Sequence, residues 1–278
     1  MNIYEDICRV EDLCPSSLLV KKAKQLYGRL ERKSYFSSTC ENERFFNVLY
    51  PVNYDAQEKY PVLYLLHGIF GDENTFVKDE ALHIREFFGN MQVKALCKKM
   101  IVIFPNIFAT KDKNLKPSFS NEAVAAYDNF INELTQDLMP FVEANLNVKT
   151  GRENTAICGF SMGGRETLFI SIKKPKLASY VGAIAPAPGL VPSKDWAMEH
   201  KGMLEKEEMK FSEPLKLLML TCGSKDLVVG NYPLTYHKIF SQNGIMHFWY
   251  EIQDADHDNN AILSGLFHFL QFTFMEER

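Results

Sequence analysis

A serine between two glycines has surroundings typical of a catalytic turn. Residues 159–163 read Gly-Phe-Ser-Met-Gly, with a short apolar run before them at 154–158 and a helix-like start after them at 164–171. A sharp strand-to-helix turn presents such a serine hydroxyl at the top of a sheet as a nucleophile. Glycines permit this turn because a Cβ beside the serine would collide with neighbouring backbone. We predict Ser161 as a nucleophile, the alternative being an ordinary loop serine.

A serine hydroxyl reacts poorly unless a base accepts its proton and an acid orients that base. Around turns of this type the chain order is serine, then aspartate or glutamate, then histidine. His257 follows the apolar run 246–252 in a polar loop, so we predict it as the base. The alternative is a loop histidine among aspartates. His268 lies inside a later helical pattern, where a core or surface role is expected.

The orienting acid should follow the preceding apolar run, residues 215–220. Asp226 is the carboxylate in the next loop, and we predict it as the acid. The alternative is a surface turn, for which Gly-Ser-Lys-Asp is also suitable. Three other aspartates lie closer to the histidine in sequence: Asp254, Asp256 and Asp258. We rank these lower because adjacent side chains seldom meet with the geometry that orients an imidazole.

Two backbone N–H groups are expected to face the oxyanion that forms when the serine attacks a carbonyl group. One belongs to Met162, the residue after the nucleophile. The other should come from the loop 67–71, which follows an apolar run and reads His-Gly-Ile-Phe-Gly. We choose the Ile69 N–H over that of Phe70, and a plain strand-to-helix turn is the alternative. We expect His67 to pack as a structural histidine.

Short apolar runs alternate with helical patterns along the chain. The runs have the continuity of strands covered on both faces, and they follow an alternating strand at 44–50: residues 60–66, 100–104, 154–158, 179–185, 215–220 and 246–252. Helical patterns are found at 16–30, 81–98, 122–145, 232–243 and 261–274. Pro140 predicts a kink or break in the third of these. The alternation predicts an α/β fold, with a mostly parallel central sheet and helices on both faces.

The predicted division of the chain places an N-terminal extension, residues 1–40, on a main domain of residues 41–278. Between two predicted strands, residues 187–213 form an insert that carries Trp196. We predict that this insert is a small cap over the site, the alternative being a surface excursion. A small cap suits acetyl or hydroxycinnamoyl groups better than long lipid chains.

Charge and composition argue against several functions. The formal net charge is −4, so nothing in it favours binding to nucleic acid or to an anionic membrane. No apolar run reaches the roughly 18 residues of a membrane span, and the N-terminal residues lack a signal-peptide pattern. We expect a cytoplasmic protein, although a secreted mature form would have the same sequence.

The six cysteines do not have the spacing of a metal site, and we expect neither a metal nor another cofactor. Cys97, Cys158 and Cys222 lie in apolar runs and are expected to be buried thiols. A disulfide is left open among the three cysteines near the N-terminus, Cys8, Cys14 and Cys40.

Four motifs, at residues 67–71, 159–164, 223–226 and 257–258, together resemble a known group of proteins. It is the putative-esterase (esterase D-like) group of α/β hydrolases, and the bacterial feruloyl esterase domains attached to xylanases are the most similar. The likeness covers roughly residues 40–275. It implies an α/β-hydrolase fold and a serine carboxylic ester hydrolase. The residues it implies as triad and oxyanion hole are those predicted above: Ser161, Asp226, His257, Ile69 and Met162.

The resemblance also implies small acyl or feruloyl-type esters as substrates, including esters of plant cell-wall carbohydrate. We place four side chains in the substrate pocket: Phe70, Phe160, Trp196 and Leu227. The chain departs from the group around the histidine, where Asp-Ala-Asp precedes it and Asn-Asn-Ala-Ile begins at residue 259. The Phe-Asn-Val-Trp usual in the group is absent from that position.

Other functions fit the same sequence. An acyltransferase, or a thioesterase similar to S-formylglutathione hydrolase, would use the same three side chains; product analysis and glutathione thioester assays would separate them. A non-catalytic binding protein on this fold would be expected to lack one of the three. We expect a small-molecule or carbohydrate ester as the binding partner, and the sequence does not determine the oligomeric state.

Overall fold

The computed structural model describes residues 13–275, in which ten strands are found. In chain order they are β1 Leu30–Ser37, β2 Asn42–Leu49, β3 Val62–Leu66, β4 Ile101–Pro105, β5 Thr155–Phe160, β6 Tyr180–Ile184, β7 Ser193–Lys194, β8 Glu199–His200, β9 Leu217–Gly223 and β10 Phe248–Ile252. Eight of them form one sheet in the order β1-β2-β4-β3-β5-β6-β9-β10, and β7 pairs with β8. The predicted strands are all present, with bounds that differ by a few residues.

The central sheet is mostly parallel, which confirms the predicted α/β fold. Strands β1 and β2 are antiparallel to their neighbours, and every pair from β4 to β10 is parallel. The parallel strands β3, β4, β6 and β9 are buried over their whole lengths, as expected of a sheet covered on both faces. Their carboxyl ends meet at one edge, where sites of open α/β sheets are built.

The α-helices of the described residues cover both faces of this sheet. They are α1 Thr75–Lys78, α2 Ile84–Val93, α3 Asn121–Asp128, α4 Phe130–Glu133, α5 Met139–Asn145, α6 Met162–Lys173, α7 Tyr232–Gln242 and α8 Asn259–Phe272. The helix predicted at 81–98 is therefore shorter than expected. The one predicted at 122–145 is interrupted by a π-helical turn, Leu134–Leu138. Pro140 lies in the first turn of α5, where its missing N–H costs little, so the predicted break falls just before it.

The helix predicted at 16–30 is wrong. A 3-10 turn, Ser16–Leu18, is the one helical piece of this segment, and the chain then runs irregularly to β1. The side-chain amide of Asn90 explains the difference, because it donates hydrogen bonds to the Leu18 and Val20 carbonyls at 2.7 and 3.0 Å. Those carbonyls would otherwise accept bonds within a helix.

Strand β1 belongs to the central sheet although it lies within the predicted N-terminal extension. It pairs along its whole length with β2, from Leu30 opposite Leu49 to Ser37 opposite Asn42. The predicted boundary between residues 40 and 41 falls in the turn that joins these two strands.

Five of the six cysteines lie among the described residues, and all five are free thiols. The predicted burial of Cys97, Cys158 and Cys222 is confirmed. Cys14 and Cys40 form no disulfide with each other, and Cys8 lies outside the described residues. Between residues 13 and 275, no helix has the length and apolar character needed to span a bilayer.

The predicted insert, residues 187–213, contains the short β7–β8 hairpin and ends beyond a 3-10 turn, Lys206–Glu208. Its base is closed by two hydrogen bonds, in which the N–H groups of Met203 and Leu204 both donate to the Leu190 carbonyl at 3.0 Å. Residues 191–202 therefore form a loop whose two ends meet at one buried point, since Leu190 and Leu204 are almost fully buried.

Candidate active site

Ser161 lies at the turn between β5 and α6, in a backbone conformation that non-glycine residues rarely adopt. Its φ is 56° and its ψ is −117°. Two hydrogen bonds hold this conformation: the Ser161 N–H donates to the Ile184 carbonyl, and the Ala187 N–H donates to the Ser161 carbonyl, both at 2.9 Å. Such strain persists when the surrounding structure over-determines it, which is common at catalytic turns.

Gly163 permits the first turn of α6 to approach the loop after β3. A Cβ on Gly163 would lie 2.3 Å from the Leu66 carbonyl oxygen and 2.6 Å from that of His67. Both contacts are with backbone, so only a residue without a Cβ fits here. The glycine predicted to permit the turn therefore also brings the serine close to the loop that was predicted to supply an oxyanion donor.

His257 and Asp226 form the pair that the sequence predicted. The Nδ1 atom of His257 lies 2.7 Å from Oδ2 of Asp226, and the Asp226 carboxylate is fully buried. Its other oxygen, Oδ1, accepts hydrogen bonds from the N–H groups of Val228 and Val229 at 3.0 and 3.1 Å. Because Asp226 occupies Nδ1, the proton of the neutral imidazole is directed there, and Nε2 is left to accept a proton.

The loops that carry the histidine and the acid are joined by backbone hydrogen bonds. The Lys225 N–H donates to the Ala255 carbonyl and the Ser224 N–H to the Ile252 carbonyl, both at 2.9 Å. The His257 ring also lies against the Phe160 ring, with centroids 4.4 Å apart. Phe160 immediately precedes the serine, so the imidazole is packed beside the turn that presents Ser161.

The described geometry separates the two candidates for the upstream oxyanion donor. The Phe70 N–H donates to the Tyr127 hydroxyl at 3.1 Å and is therefore engaged. The Ile69 N–H donates no hydrogen bond to any residue between 13 and 275. Met162 is the first residue of α6, where an N–H has no acceptor within the helix. Ile69 and Met162 both line the cavity that contains Ser161.

His67 connects the start of this loop to the end of β4. Its Nε2 accepts a hydrogen bond from the Ile107 N–H at 3.0 Å, and its Nδ1 lies 2.7 Å from the Gly68 carbonyl, to which it donates. Burial lowers the pKa of His67 to about 4, so the ring is neutral at pH 7. These contacts are those of a packed histidine.

A cavity of about 300 Å³ opens beside Ser161 and His257. Three of the four predicted pocket side chains line it: Phe70, Phe160 and Trp196. The prediction for Leu227 is wrong, because that side chain is 87% exposed and lies outside the cavity. The N–H groups of Val228 and Val229 donate to Asp226, and these two residues line the cavity instead.

Several lining residues were not predicted from the sequence. They come from the segment before α3, from α3 itself and from the insert: Phe119, Val124, Pro188, Asp195, Met198 and His200. Phe119 links two predicted aromatics, with ring centroids 5.3 Å from both Phe70 and Trp196 in edge-on contacts. An aromatic wall thus borders the cavity. Its members follow no helical or strand period, so no sequence pattern marked Phe119.

The insert covers the cavity with a hairpin that is held by polar contacts. Asp195 Oδ1 accepts the N–H groups of Ala197 and Met198 at 2.8 Å, and Asp195 Oδ2 lies 2.9 Å from Nε2 of His200. Burial alone would raise the pKa of Asp195, but these hydrogen bonds outweigh it and lower the pKa. Its residues Asp195, Trp196, Met198 and His200 line the cavity, and the role of the insert as a cap stays a prediction.

A parallel sheet with a serine at this turn, beside a buried aspartate–histidine pair, defines a serine hydrolase of the α/β-hydrolase fold. Residues 37–255 match the family described as Putative esterase. The chain belongs to this family and is a carboxylic ester hydrolase.

Known relatives agree with this assignment. A solved CE1 ferulic acid esterase from Anaeromyces mucronatus, in complex with ferulic acid, is 38% identical; the match covers 96% of this chain and 98% of that one, with a TM-score of 0.90. An endo-1,4-beta-xylanase/feruloyl esterase of Xylanibacter ruminicola is 26% identical over 72% of this chain, which spans only 25% of that protein's length. An S-formylglutathione hydrolase from Staphylococcus aureus shares the fold at 17% identity, with a TM-score of 0.63 and coverage of 90% of this chain and 100% of that one.

Proposed function

We propose that this protein hydrolyses hydroxycinnamoyl esters of the feruloyl type, including those of plant cell-wall carbohydrate, through an acyl-enzyme on Ser161. The observation that carries the proposal is the buried Asp226–His257 pair, whose histidine lines an apolar, aromatic-walled cavity together with the serine. The ferulic acid esterase described above is similar over nearly the whole chain, which supports the same substrate class.

In the proposed reaction His257 accepts the Ser161 proton at Nε2 as the serine oxygen attacks the ester carbonyl. Asp226 stabilises the imidazolium that forms, and the N–H groups of Ile69 and Met162 donate to the oxyanion. His257 then protonates the departing alcohol. Water, activated by the same histidine, releases the acid and restores the serine. One preorganised oxyanion donor typically contributes ~10²–10³ in turnover.

The shape of the cavity favours an aromatic acyl group. Its volume, about 300 Å³, lies at the lower end of the usual range for small-molecule sites. The rings of Phe70, Phe119 and Trp196 line the cavity and contact one another edge-on, and aromatic side chains suit offset or edge-on contact with a substrate ring.

The test is hydrolysis of methyl ferulate, p-nitrophenyl acetate, p-nitrophenyl butyrate and acetylated xylan by the wild-type protein and by Ser161→Ala. Among the methyl and acetyl esters of this panel, we expect methyl ferulate to be cleaved with the highest kcat/KM. We expect Ser161→Ala to lose ~10³-fold or more of the turnover. Undiminished hydrolysis in the variant would refute the mechanism. A preference for acetylated xylan would refute the proposed acyl group while leaving the serine chemistry intact.

A further inference from the structure

A second cavity, of about 240 Å³, adjoins the one that contains Ser161. The two cavities share three lining residues, Val124, Met198 and His200, which form the wall between them. The second cavity also reaches Arg165, Asp128 and the end of the insert. None of the predicted catalytic residues lines it, so the proposed mechanism leaves this space unexplained.

Arg165 places an unpartnered cationic donor in the second cavity. Its side chain is 1% exposed, and its Nε and Nη2 atoms donate to Glu166 at 3.0 and 2.7 Å, while Nη2 also pairs with Asp128. Its remaining nitrogen, Nη1, donates to no side chain or carbonyl between residues 13 and 275. A cationic donor that lines a cavity and has no partner among the described residues favours a ligand atom or water at this point.

Gly189 keeps open a gap between this donor and an imidazole nitrogen. A Cβ on Gly189 would lie 2.7 Å from Nδ1 of His200 and 3.1 Å from Nη1 of Arg165, and the φ of Gly189 is +98°. Nε2 of His200 is engaged by Asp195 at 2.9 Å. With the Nε2 proton directed at Asp195, Nδ1 of the neutral ring is an acceptor. A donor and an acceptor therefore converge on the same small space.

The charged groups around the second cavity include no excess of cations. Arg165 and Lys201 are its cationic lining residues and Asp128 and Glu199 its anionic ones, and the Glu166 carboxylate also pairs with Arg165. A site without excess positive charge, which offers one donor and one acceptor close together, fits a neutral hydroxyl group better than a carboxylate or a phosphate. The neighbouring cavity that contains Ser161 is lined mainly by apolar side chains, so an ester with one apolar and one hydroxylated end would be divided between the two.

We propose that the second cavity binds a hydroxyl group of the sugar that forms the alcohol part of the substrate ester. Arg165 lies one helical turn beyond the nucleophile, since its N–H donates to the Ser161 carbonyl at 3.0 Å. Arg165 is thus carried by the helix that begins beside the nucleophile, and its cavity adjoins the one that contains Ser161. This inference rests on the proposed function and adds the specificity-determining residues Arg165 and His200.

The test compares a feruloyl ester of arabinose with methyl ferulate, which share the acyl group and differ in the alcohol. The readout is the ratio of kcat/KM for the two esters, which does not depend on how much of a preparation is folded. In His200→Gln the side-chain amide N–H lies near the position of the histidine Nε2 and still faces Asp195, whereas the acceptor at Nδ1 is lost. We expect this variant to lower the ratio by about 3- to 10-fold, the usual effect of one lost hydrogen bond.

Two other variants separate recognition from support of the hairpin. His200→Asn carries its amide near the position of Nδ1 and gives up the contact with Asp195, so we expect it to retain most of the wild-type ratio. His83→Gln makes the same exchange at an exposed position and should leave the ratio unchanged. Equal losses in His200→Gln and His200→Asn would assign the effect to hairpin disruption and overturn the proposal.

Methyl cinnamate, which has no ring hydroxyl, tests whether the second cavity binds the acyl end instead. Suppose that His200→Gln changes the ratio of kcat/KM for methyl ferulate to that for methyl cinnamate and leaves the ratio for the arabinose ester to methyl ferulate unchanged. That result would overturn the proposal. A wild-type protein that fails to cleave methyl ferulate in a Ser161-dependent reaction would refute the proposed function itself, which is a different result. If His200→Gln still cleaves methyl ferulate and leaves the ratio of kcat/KM for the arabinose ester to methyl ferulate unchanged, the proposed role of the second cavity is refuted and the proposed function is not.

Discussion

The sheet edge that carries Ser161 and the loop 191–202 that covers it are built in different ways. At the edge, the serine backbone is bonded to the strand end at Ile184, and Gly163 leaves no space for a Cβ. The covering loop has strands of two residues, and its Trp196 is 72% exposed. Asp195 makes three polar contacts within this loop, to the N–H groups of Ala197 and Met198 and to the His200 ring.

This difference indicates that reactivity and selectivity have separate structural sources in this protein. Changes at the edge should act on kcat and on the free energy of unfolding, because the reacting groups there are attached directly to strands and helices of the buried core. Changes in the loop should act on KM and on the choice of ester. Each prediction below tests one side of this division.

The largest effect is expected from Asp226→Asn. The asparagine Oδ1 still accepts the Val228 and Val229 amides, so the fold should survive, but its NH₂ group would face His257 and favour the wrong tautomer. We expect kcat to fall by ~10³–10⁴-fold with an unchanged melting temperature. Asp254→Asn is the matched control, because Asp254 is exposed and pairs with Lys225. Similar losses in the two variants would contradict the assigned acid.

His67→Gln tests how the pH dependence of the free energy of unfolding depends on the buried, neutral ring of His67. Burial lowers the pKa of His67 to about 4, against an ordinary value near 6.5, so the unfolded chain binds a proton between these pH values that the folded chain does not. The contribution of His67 to the free energy of unfolding is therefore complete above pH 6.5 and falls as the pH falls to 4, by about 3 kcal/mol in total. We expect urea unfolding from pH 7 to 4.5 to show a shallower decline in the variant; parallel curves would contradict the prediction.

Gly163→Ala tests the close approach of α6 to the loop after β3. The new Cβ would meet two carbonyl oxygens closer than 3 Å, so backbone must move. We expect a loss of about 1–3 kcal/mol in the free energy of unfolding, measured in urea. Gly164→Ala is the comparison, since its Cβ would meet its nearest atoms at 3.1 Å and should cost less. A Gly163→Ala protein as stable as the wild type would contradict this account of the turn.

Trp196→Ala should have the smallest effect and a different kind of effect. Removing one ring of the aromatic wall should raise KM for methyl ferulate by about 3- to 10-fold, as expected for one aromatic contact, with kcat little changed. Leu227→Ala removes a side chain that is exposed outside the cavity and should change KM less than about 2-fold. A fall in kcat for Trp196→Ala that exceeds the rise in KM would contradict the division of roles.

The parts that the sequence predicted well are those with local steric or periodic causes. The turn at Ser161 follows from glycines at fixed offsets, and the buried parallel strands follow from continuous apolar runs. Asp226 and His257 were predicted as a pair because chain order and strand ends constrain them. The structure brings this pair together at 2.7 Å, and both Ser161 and His257 line one cavity.

The parts that were missed depend on tertiary contacts without a local signal. The segment around Leu18 has helical spacing, yet its Leu18 and Val20 carbonyls accept hydrogen bonds from the side-chain amide of Asn90, which lies far along the chain. Leu227 is apolar and next to the acid, yet the amides that bind Asp226 turn it outward. Phe119 joins the aromatic wall from an irregular segment, where no period predicts the direction of a side chain.

The closure of residues 191–202 on the Leu190 carbonyl has a consequence for how this enzyme diversifies. Since both ends of the loop meet at one buried anchor, its length and composition are free to change at a small entropic cost, about 0.6 kcal/mol for each doubling. We therefore expect that a hairpin of different sequence at this anchor would change which esters the protein accepts while Ser161 keeps its position.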